Sequence, residues 1–224
     1  MNVEMVKRLV LKDFYLQRWS ILGYVVGGAI ALLFVGASGE APRFIGFVLL
    51  VSVLITAGVH LAMTTVLQER KEHNLAFIMS LPISAREYTT SKLIGTLAMF
   101  LVPWVTLVIA SVVTILSRDG LPDGSVPLTI ILLSEIFVST CVLVGVALVS
   151  ESNAWSIGTL VAGNLFFNFF IFWVTRIPSI AAAAKGEAII WDAPVLTLLG
   201  GEAALIVLVL GLTFVLQDRK TDFV

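Results

Sequence analysis

The sequence predicts an all-α integral membrane protein with six transmembrane helices, forming a single domain over residues 1–224. Of its residues, 58% are hydrophobic and only 13% are charged, whereas about a quarter of the residues of a soluble domain are charged. Six apolar runs reach about 20 residues, the length that a helix needs to cross the hydrocarbon core of a bilayer. Lipid is therefore expected to surround most of the chain.

The six spans are separated by polar breaks. We predict them near residues 19–38, 44–67, 93–117, 126–149, 153–175 and 193–216. Three of the breaks are short: GEAPR follows the first span, SRDGLPDGS the third and SESN the fourth. The longer segment RIPSIAAAAKGEAIIWD, between the fifth and sixth spans, is predicted to contain a short interfacial helix.

The distribution of Lys and Arg among the loops predicts that both termini are cytoplasmic. With that orientation the inner side holds ten of the basic residues and the outer side four. The inner set is Lys7, Arg8, Lys12, Arg18, Arg70, Lys71, Arg86, Lys92, Arg219 and Lys220, and the outer set is Arg43, Arg118, Arg176 and Lys185. The bias is large enough to decide the orientation of the chain.

The N-terminal segment 1–18 has the pattern of an amphipathic helix. Its apolar residues recur at helical spacing, with basic residues between them; the apolar set is Val3, Val6, Leu9, Val10 and Phe14. Such a pattern favours a helix that lies in the inner membrane interface. The alternative is that these residues continue the first span into water.

Residues 69–92 form a distinctive inner loop. The charged run ERKE ends the second span in water, and the apolar residues over 75–81 then predict a short amphipathic helix. Pro82 ends that helix, because the residue before a proline is disfavoured in helical geometry. Ser84 and Glu87 form a capping box that starts the next helix. From the residues alone, the loop is either a rigid helix–turn–helix elbow or an ordinary charged connection.

This loop resembles the corresponding loop of type-2 ABC-transporter permeases. The residues that carry the resemblance are Glu69, Arg70, Ser80, Leu81, Pro82, Ile83, Ser84, Arg86, Glu87, Tyr88 and Lys92. The six-span plan and the amphipathic N-terminus are similar to that family too. The resemblance implies a cytoplasmic coupling helix between spans two and three that docks on a nucleotide-binding ATPase subunit. It assigns ATPase coupling to Glu69, Arg70, Lys71, Glu72, His73, Asn74, Leu75, Phe77 and Met79.

The chain is not expected to bind a cofactor itself. It lacks the Gly-x-x-x-x-Gly-Lys-Ser/Thr motif that cradles nucleotide phosphates, so the resemblance implies that ATP and Mg²⁺ bind to the partner ATPase. It also implies a second permease chain, identical or related, in the cytoplasmic (inner) membrane of a prokaryote, and transport in the export direction. The net charge of −1 gives no indication of a nucleic-acid partner, and none is expected.

Small residues recur four positions apart on two spans. Gly23 and Gly27 lie on the first span, and Gly158 and Ala162 on the fifth. This spacing lets helix backbones approach closely. The resemblance implies that the first and fifth spans form the dimer contact, and packing within one subunit is the alternative.

Polar residues inside the spans are the candidates for the substrate path, because each is costly in lipid unless it is paired or hydrated. They are His60, Glu135, Asn164, Asn168 and Glu202. The two glutamates each lie about eight residues from the outer end of a span, roughly 12 Å deep. Hydrogen bonding between helices is the alternative role for all five. The lone Cys141 gives neither a disulfide nor a thiolate metal site.

The sequence therefore favours the membrane-spanning subunit of an ATP-driven ABC exporter. The alternative is the six-span substrate-binding membrane component of an importer of the energy-coupling type, with a ligand pocket near Glu135 and Glu202. An intramembrane enzyme is disfavoured, because the two histidines and one cysteine form no nucleophile or metal constellation, and no catalytic residue is expected.

Overall fold

The computed structural model describes residues 3–68, 85–118 and 120–218, which are mainly helical. Six of these helices are long and apolar enough to cross a membrane. They are α1 (Val3–Val35), α2 (Glu40–Ala62), α3 (Ala85–Ser117), α4 (Val126–Ser150), α5 (Asn153–Val174) and α7 (Ala193–Asp218). A short helix, α6 (Pro178–Ala183), lies between the fifth and sixth spans, where the sequence predicts one. The all-α, six-span prediction is confirmed.

The first helix is longer than predicted. α1 is one unbroken helix of 33 residues, which corresponds to about 50 Å at 1.5 Å per residue. The predicted boundary at residue 18 is not a helix end, and residues 3–18 continue the first span without a break. Val6 and Leu9 of this segment are buried, and Val10 lies beside Gly95 of α3. Packing against α3 thus extends the helical bundle beyond the first predicted span.

The second span changes its winding near its end. α2 is followed directly by a π-helical segment, Met63–Gln68. A π-helical turn holds more residues than an α-helical turn, and such turns occur frequently at functional sites. The change shifts the direction in which Thr64 and Thr65 point, shortly before residues 69–84, where the coupling helix is predicted.

α4 is the central helix of the bundle. It packs against α2, α3, α5 and α7, while α1 packs against α2 and α3. In the most apolar stretch of α4, 67% of the residues are buried within the protein. The corresponding share is 17% for α5 and 11% for α7. The outward faces of α5 and α7 are thus mainly apolar and exposed, as expected for surfaces that contact lipid or another membrane helix.

The two N-terminal spans touch through their backbones. A Cβ atom built on Gly46 of α2 would lie 2.5 Å from the backbone nitrogen of Val35 and 2.7 Å from the carbonyl oxygen of Ala31. Only glycine fits at this crossing. Between α3 and α4, Trp104 Nε1 donates a hydrogen bond of 2.7 Å to the carbonyl oxygen of Leu133.

Candidate translocation site

A small cleft lies between α2, α4 and α5, and we call it the central cleft. Its walls are mainly apolar, with side chains such as Ile55, Leu160 and Phe167. The polar side chains that line it are Ser139, Thr140, Thr159 and Asn164. A concave, mainly apolar surface with a few polar groups is the usual form of a small-molecule site.

The two asparagines of α5 are placed differently from each other. Asn164 lines the central cleft, whereas Asn168 is exposed one turn further along the helix. Asn164 Nδ2 donates to the carbonyl oxygen of Leu160 at 3.0 Å, and Asn168 Nδ2 donates to the carbonyl oxygen of Asn164 at 2.8 Å. Both of these hydrogen bonds stay within α5. Of the pair, only Asn164 is positioned to meet an occupant of the cleft.

The two predicted glutamates are both buried, at 3% exposure for Glu135 and 7% for Glu202. Ser139 Oγ donates to Glu135 Oε1 at 3.2 Å, so Glu135 lies one hydrogen bond behind the wall of the cleft. Glu202 projects from α7, and its two carboxyl oxygens have no hydrogen-bond partner among the described residues.

His60 does not line the central cleft. Its ring lies 5.8 Å from the ring of Tyr24, measured between centroids, so it faces α1. One turn on, Thr64 Oγ1 accepts a hydrogen bond of 3.1 Å from Gln17 Nε2 of α1. His60 and Thr64 therefore both contact α1.

Four buried side chains form a polar junction at the predicted cytoplasmic side, which we define as Asp13, Thr65, Lys92 and Thr96. Lys92 Nζ lies 2.7 Å from Asp13 Oδ2, and Thr65 Oγ1 lies 2.7 Å from Thr96 Oγ1. The junction connects α1 and the π-helical segment to the first turns of α3. It therefore joins the two helices that flank residues 69–84.

Asp13 and Ser139 were not among the candidates that the sequence suggested. Asp13 had a signal that could have identified it, because it follows Val6 and Leu9 on the buried face of α1 at helical spacing. An acidic residue on an apolar stripe indicates a buried partner. Ser139 has no comparable signal, since single hydroxyl side chains are common in membrane helices and usually bond to their own backbone.

The residues assigned to ATPase coupling, Glu69 to Met79, lie outside the described residues, so their placement stays a prediction. The same applies to Ser84 of the capping box. The structure describes the flanks of this loop: the π-helical segment ends at Gln68, and α3 begins at Ala85 with Tyr88 buried.

The small residues predicted at a dimer contact mostly face outward. No atom lies within 4 Å of a Cβ built on Gly23 or Gly158, and Ala162 is exposed. Gly27 is different, because a Cβ there would lie 3.6 Å from Val53 of α2. Three of the four positions thus leave room for a second helix on the surface of the subunit.

The model of the ABC-2 family transporter proteins matches residues 8–217 of the sequence. The chain belongs to the ABC-2 family. The match spans nearly the whole described bundle, including the central cleft and the polar junction, and it confirms the resemblance of the chain to type-2 ABC-transporter permeases. No curated protein and no solved structure matches the chain significantly.

As an ABC-2 permease, the chain is a multi-pass membrane component of a transporter. Within the described residues, no group of three or more His, Cys, Asp or Glu side chains is placed to hold a metal ion. The central cleft offers hydrogen-bonding groups and apolar surface to a solute.

Proposed function

We propose that this ABC-2 permease is the membrane-spanning subunit of an ATP-driven exporter. It forms the translocation path as a dimer in the cytoplasmic membrane of a prokaryote, with both termini in the cytoplasm. ATP and Mg²⁺ bind to a separate ATPase subunit. The observation that supports this function is the family match over residues 8–217.

The loop that contains residues 69–79 docks on the ATPase and transmits its movement. The polar junction supports this proposal, because it links α1 and the π-helical segment to the start of α3 through a buried ion pair and a hydroxyl–hydroxyl hydrogen bond. A displacement of the loop would therefore move these three segments together. Buried polar contacts of this kind hold helices in a defined register.

The central cleft is the part of the translocation path that each subunit supplies. Asn164 lines it directly, and Glu135 acts through Ser139. The exposed face of α5, which includes Gly158 and Ala162, meets the second permease chain together with α1. Small residues on that face allow the close helix contact that a membrane dimer requires.

A co-purification experiment tests the coupling proposal. The tagged full-length chain is extracted gently from native membranes, and a nucleotide-binding protein that co-purifies is identified by mass spectrometry and ATP hydrolysis. We expect the ATPase to be lost when Glu72, Asn74 and Phe77 are changed together to alanine. A matched control changes Arg118, Lys185 and Glu187, in the predicted outer loops, to alanine and keeps the ATPase. Absence of any nucleotide-binding protein from the native preparation would reject the exporter function.

The importer-type binding subunit remains the second candidate, and the buried pair Glu135 and Glu202 favours it. Two carboxyl groups within a membrane bundle are uncommon without a functional or structural role. This candidate predicts that a small vitamin-like molecule co-purifies with the chain and is lost when Glu202 is changed to leucine. Retention of the ATPase with no bound small molecule contradicts it.

A further inference from the structure

The hydroxyl groups that line the central cleft already donate hydrogen bonds within the protein. Thr140 Oγ1 donates to the carbonyl oxygen of Ile136 at 2.8 Å, and Thr159 Oγ1 donates to that of Trp155 at 2.9 Å. A hydroxyl group has one proton and two acceptor lone pairs. While each threonine donates its proton to a carbonyl oxygen of its own helix, its hydroxyl group can only accept a hydrogen bond from an occupant of the cleft.

Ser139 shows the same pattern with a different acceptor. Its Oγ donates to Glu135 Oε1 at 3.2 Å, which directs the proton away from the cleft. A Cβ built on Gly163 of α5 would lie 3.9 Å from this oxygen. The absence of a side chain at Gly163 leaves Ser139 Oγ accessible from the α5 side of the cleft.

Among the described residues that line the cleft, Asn164 alone retains a side-chain donor. One N–H of its amide bonds to the carbonyl oxygen of Leu160, which leaves one N–H and the carbonyl oxygen Oδ1 with its two lone pairs. The cleft as a whole is thus rich in acceptors and poor in donors. Its remaining walls are apolar.

We propose that the central cleft selects apolar solutes whose polar end is a hydrogen-bond donor. The proposal rests on the proposed function, which makes the cleft part of the translocation path. A solute with N–H groups satisfies the free lone pairs of Ser139, Thr159 and Asn164. A solute that has only acceptors places its lone pairs opposite the lone pairs of the cleft, and no hydrogen bond forms. In apolar surroundings, a polar group without a hydrogen bond costs free energy. The loss of one hydrogen bond corresponds to a decrease in affinity of roughly 3- to 10-fold.

Two dyes provide a matched test. Rhodamine 123 and tetramethylrhodamine methyl ester are monocations that share one xanthylium body and one methyl ester group. They differ because methyl groups replace every N–H in the second dye. The full-length permease is reconstituted in lipid nanodiscs, and binding of each dye is measured by fluorescence anisotropy against empty nanodiscs. We expect rhodamine 123 to bind roughly 3- to 10-fold more tightly, as the difference in donors requires.

Variants of the lining residues test whether the preference for the dye with N–H groups arises in the central cleft. Asn164→Leu and Thr159→Val each remove acceptors from the lining, and we expect each to reduce the ratio of the two affinities toward one. Asn168→Leu is the matched control, because Asn168 lies on the same helix one turn away and does not line the cleft. It should keep the full preference. Thr159→Val changes the shape of the side chain very little. The test therefore remains possible if Asn164→Leu does not fold.

Equal affinities for the two dyes, tighter binding of the methylated dye, or no binding of either dye would overturn the proposal. A loss of preference in Asn168→Leu equal to that in Asn164→Leu would overturn it as well. The measurement needs no ATPase. Co-purification of the ATPase without a donor preference would therefore reject the solute class alone, and a donor preference without a co-purifying ATPase would reject the exporter function alone.

Discussion

Lys92 Nζ of α3 lies 2.7 Å from Asp13 Oδ2 of α1, and both side chains are buried, at 0% and 6% exposure. The pair joins positions that are 79 residues apart in the chain. Two charges removed from water stabilise each other only while both are present, and removal of one partner from a buried pair costs about 3–5 kcal/mol. The pair therefore fixes the N-terminal half of α1 against the helix that follows the predicted coupling loop.

Asp13→Ala should lower the thermal stability of the purified permease strongly, because it leaves a buried ammonium group without this counter-ion. The expected loss is about 3–5 kcal/mol, measured as a decreased midpoint of thermal unfolding in detergent. Glu4→Ala is the matched control, since it removes an exposed ion pair with Arg8 on the same helix that is worth about 0–1 kcal/mol. Similar midpoints for the two variants would show that the buried pair does not stabilise the fold.

Thr65→Val should destabilise the permease more than Thr96→Val. Thr65 Oγ1 donates to the carbonyl oxygen of Leu61 at 2.6 Å, so Thr96 is the donor in the hydroxyl–hydroxyl bond. Removal of the Thr65 oxygen leaves a buried donor unsatisfied, at a cost of about 1–3 kcal/mol, whereas Thr96→Val removes one bond of about 1 kcal/mol. Thermal unfolding of the two variants gives the comparison. The reverse order would mean that the proton arrangement inferred for the pair is wrong.

Gly46→Ala should disrupt the contact between α1 and α2. Its new Cβ would meet backbone atoms of Val35 and Ala31, which cannot move aside as a flexible side chain can, and overpacking of this kind costs about 1–3 kcal/mol or more. Gly23→Ala is the control, because a Cβ there meets no atom within 4 Å. Unfolding midpoints that fall equally in both variants would contradict the close backbone contact.

Gly158→Leu should weaken the proposed dimer without affecting the folded subunit. The position is on the surface of α5, with no atom within 4 Å of a Cβ, so the larger side chain obstructs only a partner helix. Gly200→Leu on α7 has the same open surroundings but lies outside the proposed contact. Chemical cross-linking in native membranes should show fewer dimers for Gly158→Leu alone. Equal dimer fractions in both variants would exclude α5 from the interface.

The predicted orientation can be tested by cysteine labelling. Cys141 is buried, and in a Cys141→Ala background we introduce Lys7→Cys at the predicted inner side and Glu187→Cys at the predicted outer side. Both positions are exposed. A membrane-impermeant maleimide applied to intact cells should label Glu187→Cys and reach Lys7→Cys only after permeabilisation. The opposite result would invert the topology.

The number and the approximate positions of the spans could be predicted because the bilayer imposes a local rule. An apolar run of about 20 residues must become a helix in lipid to satisfy its backbone, and no distant contact is needed to recognise it. The limits of the helices were less predictable. The helix of the first span begins at Val3 and not near residue 19. Residues before the predicted span pack on α3, because Asp13 pairs with Lys92 and Val10 lies beside Gly95, and a hydropathy pattern does not contain these contacts.

The sequence by itself determined the all-α class, the six spans and the family, through local patterns of hydropathy and the motif at 69–92. Only the tertiary structure decided which polar side chains meet. It placed Asn164 at the central cleft and Asn168 on the surface, and it turned His60 toward Tyr24. The reason is that such contacts depend on the rotation of each helix about its axis, which is set by packing against its neighbours and not by the composition of the helix itself.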